Sequence, residues 1–447
     1  MGSQLILLFS YGLTFWLWRL DMRWRKAGSL ALLIPGIWIG IAGSRPVSYW
    51  FGGQGGSEAN PIDTLVYLGL IGSAIYVLSR RKLKWVELVT KNKAVFAVYG
   101  FLLLSMAWSP MPAVSGKRIF KDFGCILTGL VFLTELNPAV AVRAVFVRVA
   151  YLLLPLSVVF IKYFPDIGRT SSRAGETLFG GVTTQKNSLG EIVFILSIML
   201  LWDLTEIYKG EKRRGKKMQL AVRVGMLLIG FWLLKTCDSQ TSMLCLAVGG
   251  GILWGTQRLL QMRNGRRVLI GILTCIITLV VLDKTLNLSD MVIRAMGRDP
   301  GLTGRTEIWK LVLEQKTDPV RGGGFYVFWD SPKGKAVIES FMQINSAHNG
   351  YLDLYMDGGL IGCSLLVLVL LVGGRRVIDR LFAGDPLGKV ALAFWFLAIL
   401  YNFSESSFFR LDVLWFTLLL LIVVCPLTRR QKTHLQKLEQ DGLATVA

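Results

Sequence analysis

Gly358-Gly-Leu-Ile-Gly-Cys-Ser-Leu-Leu-Val-Leu-Val-Leu-Leu-Val-Gly-Gly374 contains no charged side chain and is followed at once by Arg375 and Arg376. A hydrocarbon core of about 30 Å takes about 20 predominantly apolar residues in a helix. Such a run, closed by an arginine pair, reads as a membrane span whose C-terminal end faces the cytoplasm. The same template finds runs near 4–19, 28–43, 61–79, 93–109, 118–134, 143–163, 188–207, 219–236, 242–260, 267–283, 387–403 and 409–426. The expected fold is therefore an all-α polytopic integral membrane protein with about 12–13 transmembrane helices.

Composition agrees. The 447 residues hold 50 Lys plus Arg against 29 Asp plus Glu, a net charge of +21, with 53% hydrophobic and 18% charged residues. Soluble domains average about 25% charge, so a soluble globular enzyme and a disordered chain are both excluded. The basic excess falls mainly in alternate loops: Arg23, Arg25 and Lys26; Arg80 to Lys84; Lys212 to Lys217; Arg263 to Arg267; Arg375 to Arg380; Arg429 to Lys432. That alternation follows the positive-inside rule and places the N-terminus outside and the C-terminus inside. The lipid bilayer is then the partner the charge implies, and no nucleic acid is expected. Lys117, Arg118 and Arg410 stand against the pattern at outer span ends. The opening run has no basic residue before Arg19 and reads as an anchor rather than a cleaved signal peptide.

The expected organisation is helices 1–10 over residues 1–283 and a large extracytoplasmic loop over 284–357, between the spans near 267–283 and 358–374. The last three helices follow over 358–427, then a basic cytoplasmic tail over 428–447. Six cysteines sit in or at the end of apolar runs, without zinc-ligand spacing, and the only histidines are His348 and His434. No metal site and no cofactor is expected.

Loops as long as 284–357 are usually functional. At Gly301-Leu-Thr-Gly-Arg305-Thr306-Glu-Ile-Trp309, a helix start capped by Thr303 or Thr306 would put Arg305 at an N-terminus that favours anions. An arginine fork there suits a phosphate or diphosphate; equally, it suits a local carboxylate. Arg321-Gly-Gly-Gly324-Phe325 follows, where glycines let backbone approach a ligand closely or form a plain turn, the turn being the better reading. Next comes Ser346-Ala-His348-Asn349-Gly350-Tyr351, leading into the quoted span. A helix capped by Ser346 or Asn349 would align His348, Leu352 and Tyr355 on one face. A neutral imidazole at the outer membrane boundary can serve as a general base, or merely bond loop backbone. A second outer stretch, Pro165 to Lys186, keeps Arg169, Arg173 and Lys186 on the side where basic residues are disfavoured, and an anionic ligand would account for them.

These motifs, with Gly359-Leu-Ile-Gly362 leading the span, resemble the O-antigen ligase and O-antigen polymerase superfamily. Ser44-Arg45-Pro46 and Gln185-Lys186-Asn187-Ser-Leu-Gly190 extend the likeness over most of the chain. The resemblance implies a GT-C-like glycosyltransferase of the bacterial inner membrane with its catalytic loop outside. It would move a glycan from a polyprenyl-diphosphate-linked oligosaccharide donor to a glycan or glycolipid acceptor, with inversion and without metal or nucleotide sugar. Other polysaccharide-assembly proteins are implied partners. By motif, His348 would be the base and Arg305 the leaving-group clamp. Asn349, Arg169, Arg173, Lys186, Asn187, Lys235, Arg321, Gly323 and Tyr351 would be substrate contacts. Two departures stand out. Ser239-Gln240-Thr241 replaces a Ser-Arg found in many ligases, and Gln185 replaces a histidine. The first looks more like exopolysaccharide polymerases, so polymerisation is expected ahead of ligation to lipid A-core. A transporter or flippase remains a different class, for which Asp122, Glu191, Asp203 and Asp412 would be the ionisable candidates.

A reaction run on arginines and one imidazole should survive chelation. Turnover in EDTA is expected to match the untreated rate; loss of turnover restored by Mg²⁺ would instead make Asp353 and Asp357 metal ligands.

Overall fold

The computed structural model describes residues 2–25, 28–52, 60–171, 175–210, 215–286, 305–341, 344 and 346–440. Arg173 and the glycine-rich lead-in at 301–304 lie outside these residues. The first half comprises α1 (Gly2–Trp24), α2 (Leu33–Ala42), α3 (Val47–Trp50), α4 (Pro61–Arg80), α5 (Trp85–Lys91), α6 (Lys93–Leu104), α7 (Pro112–Leu133), α8 (Pro138–Tyr163) and α9 (Pro165–Gly168). Then come α10 (Lys186–Lys209), α11 (Lys216–Cys237), α12 (Gln240–Gln261) and α13 (Gly265–Leu286). The rest is α14 (Arg305–Glu314), α15 (Pro332–Phe341), α16 (Gly350–Phe382), α17 (Gly388–Tyr401), α18 (Val413–Ile422) and α19 (Arg429–Gln440). The strands among the described residues form one antiparallel pair, Arg169–Ser171 with Thr177–Phe179. The chain is an all-α, polytopic membrane protein.

Every apolar run read from the sequence falls on a helix. Among the described residues, seven helices are both long and apolar enough to cross a membrane: α1, α4, α8, α10, α11, α12 and α16. An eighth span arises if α5 and the segment 93–107, bent by 94°, count as one. The difference from 12–13 full crossings has physical causes. α18 has 10 residues, all buried, and spans about 15 Å at 1.5 Å per residue, half the hydrocarbon thickness. α7 carries Lys117, Arg118, Lys121 and Asp122 in its first half, so it is long but not uniformly apolar. Irregular backbone at the end of a half-length helix is tolerated in a membrane protein where protein or water surrounds it, and α18 is wrapped by its neighbours.

One ionic knot fastens α1, α8, α10 and α11. Arg223 lies between Asp21 (2.9 Å) and Asp203 (3.0 Å), and all three residues have 0% exposure. Arg148 adds a contact to Asp21 at 2.9 Å, and Arg25 pairs with both acids. Buried charges of this kind persist only when paired.

α16 is two helices joined at Gly359, whose φ of 59° and ψ of −158° break the helical path. A Cβ there would lie 2.5 Å from the Val320 carbonyl. The exposed backbone ends are sealed by the glycine segment: Gly323 N–H donates to Met356 O (2.8 Å) and Gly324 N–H to Asp357 O (3.0 Å), while Leu360 N–H reaches Pro319 O (2.9 Å). Phe325 is tied to the membrane helices on both sides. Its N–H donates to Ser105 Oγ (3.1 Å) and its carbonyl accepts from Ser115 Oγ (3.0 Å). The glycines thus serve packing against a broken helix, the turn reading of that motif. Above them α14, the turn at 328–330 and α15 share a small core of Ile308, Val312, Phe328, Trp329, Val337, Ala347 and Met356.

Candidate functional site

The loop between α17 and α18 carries the residue on which the site converges. Asn402 ends α17, and its Oδ1 accepts from the N–H groups of Ser407 (2.8 Å) and Phe408 (3.0 Å). This curls residues 402–408 back over the helix ends. Glu405 is thereby turned inward at 6% exposure, and its carbonyl accepts from Gly350 N–H at 2.9 Å. Glu405 Oε1 accepts from Asn187 Nδ2 (2.8 Å) and Arg305 Nη2 (2.8 Å). Oε2 lies 3.0 Å from His348 Nδ1. One carboxylate therefore joins the starts of α10 and α14 to the loop before α16.

A carboxylate can only accept from an imidazole, so in the neutral ring this contact assigns the His348 proton to Nδ1 and leaves the lone pair on Nε2. A carboxylate that fixes the tautomer and ring orientation of a basic imidazole is the working half of many acyl- and group-transfer sites. His348 also holds a φ of 48°, a left-handed conformation that bulky residues seldom adopt and that recurs at functional sites. The helix begins at Gly350, with Asn349 as its N-cap: Oδ1 accepts from Tyr351 N–H (3.1 Å) and Leu352 N–H (3.2 Å). Of the two caps the sequence allowed, Asn349 is the one used. His348 accordingly stands before the helix, not on a face shared with Leu352 and Tyr355.

His348 and Glu405 line a cleft of about 510 Å³, within the range that binds small ligands. Its walls come from the start of α4, the charged half of α7, the start of α10, Tyr326 to Asp330 and the 401–412 loop. Three further cations line it: Arg118, Lys121 and Arg410. Arg118 pairs with Asp330 at 2.7 Å and donates to the Tyr326 carbonyl. Arg410 pairs with Asp353 at 2.7 Å. Both guanidinium groups lie over the Tyr326 ring, at 4.5 and 4.9 Å from its centroid. Asp122, Glu191 and Asp412 line the same cleft, each bonded to nearby donors such as Tyr99, Tyr401 and Ser407.

The residues expected from sequence separate into two groups. His348, Arg305 and Asn187 meet at Glu405. The rest lie apart from that junction or are engaged elsewhere. Asn349 caps α16, and the Gly323 N–H is bonded to Met356. Tyr351 donates to Ile399 O at 3.1 Å and packs on Phe403 and Phe408. Arg169 donates to Ile161 O at 2.9 Å. Arg321 pairs with Asp318 at 3.0 Å on the surface. Lys186 opens α10 beside Asn187, and Lys235 is exposed on α11. Arg305 does begin a helix, as expected, but its Nη2 is engaged by Glu405, a carboxylate 100 positions away in sequence and not the local one considered above. Glu405 is absent from the sequence expectations because its partners lie 57, 100 and 218 positions away and no local motif marks it. Arg118 and Arg410 carried a legible signal: they stood on the outer side against the charge rule.

Known proteins place these features in context. Residues 218–367 match the model of a family described as O-antigen ligase. Over 330 residues the chain is 26% identical to the exopolysaccharide production protein ExoQ of Rhizobium meliloti (strain 1021), with 72% of each chain covered. The family match holds Arg305 and His348; Asn187 and Glu405 fall outside it.

Glu405→Gln keeps the side-chain volume but removes the charge that orients the imidazole. We expect turnover to fall by about 10²-fold or more in kcat, with substrate KM little changed and the protein eluting as wild type on size exclusion. Wild-type turnover in a folded Glu405→Gln protein would remove the positioning role.

Proposed function

We propose that this chain, a membrane protein of the O-antigen ligase/polymerase type, is a glycosyltransferase. It would transfer a polyprenyl-diphosphate-linked glycan to an acceptor hydroxyl on the extracytoplasmic face of the bacterial inner membrane. The observation that carries the reading is the Glu405–His348 contact at 3.0 Å in a cleft also lined by Arg118, Lys121 and Arg410.

The chemistry follows from that arrangement. The acceptor hydroxyl loses its proton to His348 Nε2 as its oxygen forms a bond to the anomeric carbon. The bond from that carbon to the diphosphate oxygen breaks, and the electron pair leaves with the polyprenyl diphosphate. Backside attack inverts the anomeric centre. A positioned base contributes about 10²–10⁴ in rate. Negative charge builds on the leaving diphosphate, where guanidinium groups in a partly desolvated cleft stabilise it without a metal. Arg118, Arg410 and Lys121 line the cleft and are the cations proposed for that role, Arg118 and Arg410 each sharing its charge with an aspartate, Asp330 and Asp353. Arg305 contributes by holding Glu405, and reaches the diphosphate only if it exchanges partners. No cofactor enters this scheme.

Polymerisation of exopolysaccharide or O-antigen repeats is the preferred reaction, supported by the similarity to an exopolysaccharide production protein and by Ser239-Gln240-Thr241. Ligation to lipid A-core is the second reading, supported by the description of the matching family. A transport route is less well supported: of its four acids, Asp203 is locked to Arg223 at 3.0 Å, and the other three line the transfer cleft.

Purified protein given one synthetic lipid-linked repeat should yield a ladder of products; product appearing only after an acceptor is added would mean ligation. His348→Ala should keep normal membrane abundance and donor binding while product falls to near background. A folded alanine variant that still makes polymer at the wild-type rate would dismiss His348 as the base.

A further inference from the structure

A second cavity, of about 900 Å³, lies at the opposite end of the helix bundle. α7 runs from Arg118 and Asp122 in the first cleft to Thr134 and Glu135 in this one, and α4 runs from Asp63 to Arg80 in the same sense. By the charge rule this is the cytoplasmic face. We infer that the cavity is a binding site for an anionic phospholipid of the facing leaflet.

Three features of the cavity point to that ligand. Its rim carries Arg80, Arg81, Lys82, Arg429 and Arg430. Arg81 is engaged by Glu135, with Ser29 and Thr134 as further partners. Arg80, Lys82, Arg429 and Arg430 form no ion pair among the described residues. Four cations are thus left to face an anion, beyond what Glu135 neutralises. The second feature is an apolar wall running from the rim. Leu30 is 85% exposed and Tyr76 66% exposed, and both line the cavity with Val77. A soluble anion has no use for that wall, whereas acyl chains do. The third is rigidity where the two meet. Gln431, buried, donates to the carbonyls of Leu133 (3.0 Å) and Glu135 (2.7 Å) and receives the Thr428 N–H (2.9 Å). This pins the start of α19, with Arg429 and Arg430, to the end of α7. The positive-inside rule accounts for basic residues on this face, but not for their convergence from two distant segments around one cavity. Basic pockets between membrane helices are suited to lipid phosphate groups.

The test is direct binding to the delipidated full chain in detergent, read by native mass spectrometry and tryptophan fluorescence. Micelles containing phosphatidylglycerol, micelles of phosphatidylcholine and inorganic phosphate form the three arms. Phosphatidylglycerol should bind and phosphatidylcholine should not. Phosphate should compete only at much higher concentration. Arg80→Gln/Arg429→Gln/Arg430→Gln should weaken phosphatidylglycerol binding by about a hundredfold, about fivefold for each basic residue near the surface. Arg263→Gln/Arg266→Gln/Arg267→Gln removes as much charge from the same face outside the cavity and should leave binding little changed. If the first triple variant does not fold, Arg430→Gln alone carries the test with a several-fold loss. Equal loss in both triple variants, equal binding of phosphatidylcholine, or phosphate binding as tightly as the lipid would overturn the inference.

Discussion

Glu405 ties four stretches of chain that are far apart in sequence: the start of α10, the start of α14, the loop before α16 and its own loop after α17. Each contact is short and involves a charged acceptor, the class of hydrogen bond that contributes most. A carboxylate at 6% exposure is costly unless it is hydrogen-bonded, and here Asn187, Arg305 and His348 supply three donors. The desolvation cost that would make an unpaired Glu405 unfavourable therefore enforces the geometry of its three donors. Membrane helices and outer loop are held in register at the point where the imidazole must be aimed. Arg305, at the start of α14, is held there by Glu405 at 2.8 Å.

The surrounding backbone is irregular for the same reason. α18 stops at half the depth of a membrane, α16 breaks at Gly359, and α17 ends in the turn around Asn402. Each interruption frees backbone groups, and each set is used. Asn402 Oδ1 receives two N–H groups, the glycine segment seals the break in α16, and Asp412 Oδ1 receives the Trp415 N–H at 2.9 Å.

The helices were legible because apolar runs have a length set by the bilayer, and every run from 4–19 to 409–426 became helical. Depth was not legible: a run of apolar residues reads the same whether it faces lipid across its length, as exposed Leu5 and Phe9 do on α1, or is wrapped in protein as α18 is. His348 was legible from its rarity and its motif, as was Arg305 at a helix start. Glu405 was not, because its importance lies in three partners separated from it by 57, 100 and 218 positions, and no local pattern marks such a junction. The cations of α7 lie between these cases: Lys117 and Arg118 are visible as outer-side exceptions to the charge rule, but the cleft that Arg118 and Lys121 line is built from segments distant in sequence.

Whether His348 acts through Glu405 is decided by a double-mutant cycle on transfer rate. With His348→Ala, Glu405→Gln and the double variant all folded, strong non-additivity is expected, the double variant being little slower than His348→Ala alone. Residues that act as a unit behave this way. Rate losses that simply multiply would show that Glu405 and His348 contribute independently, and would contradict the dyad.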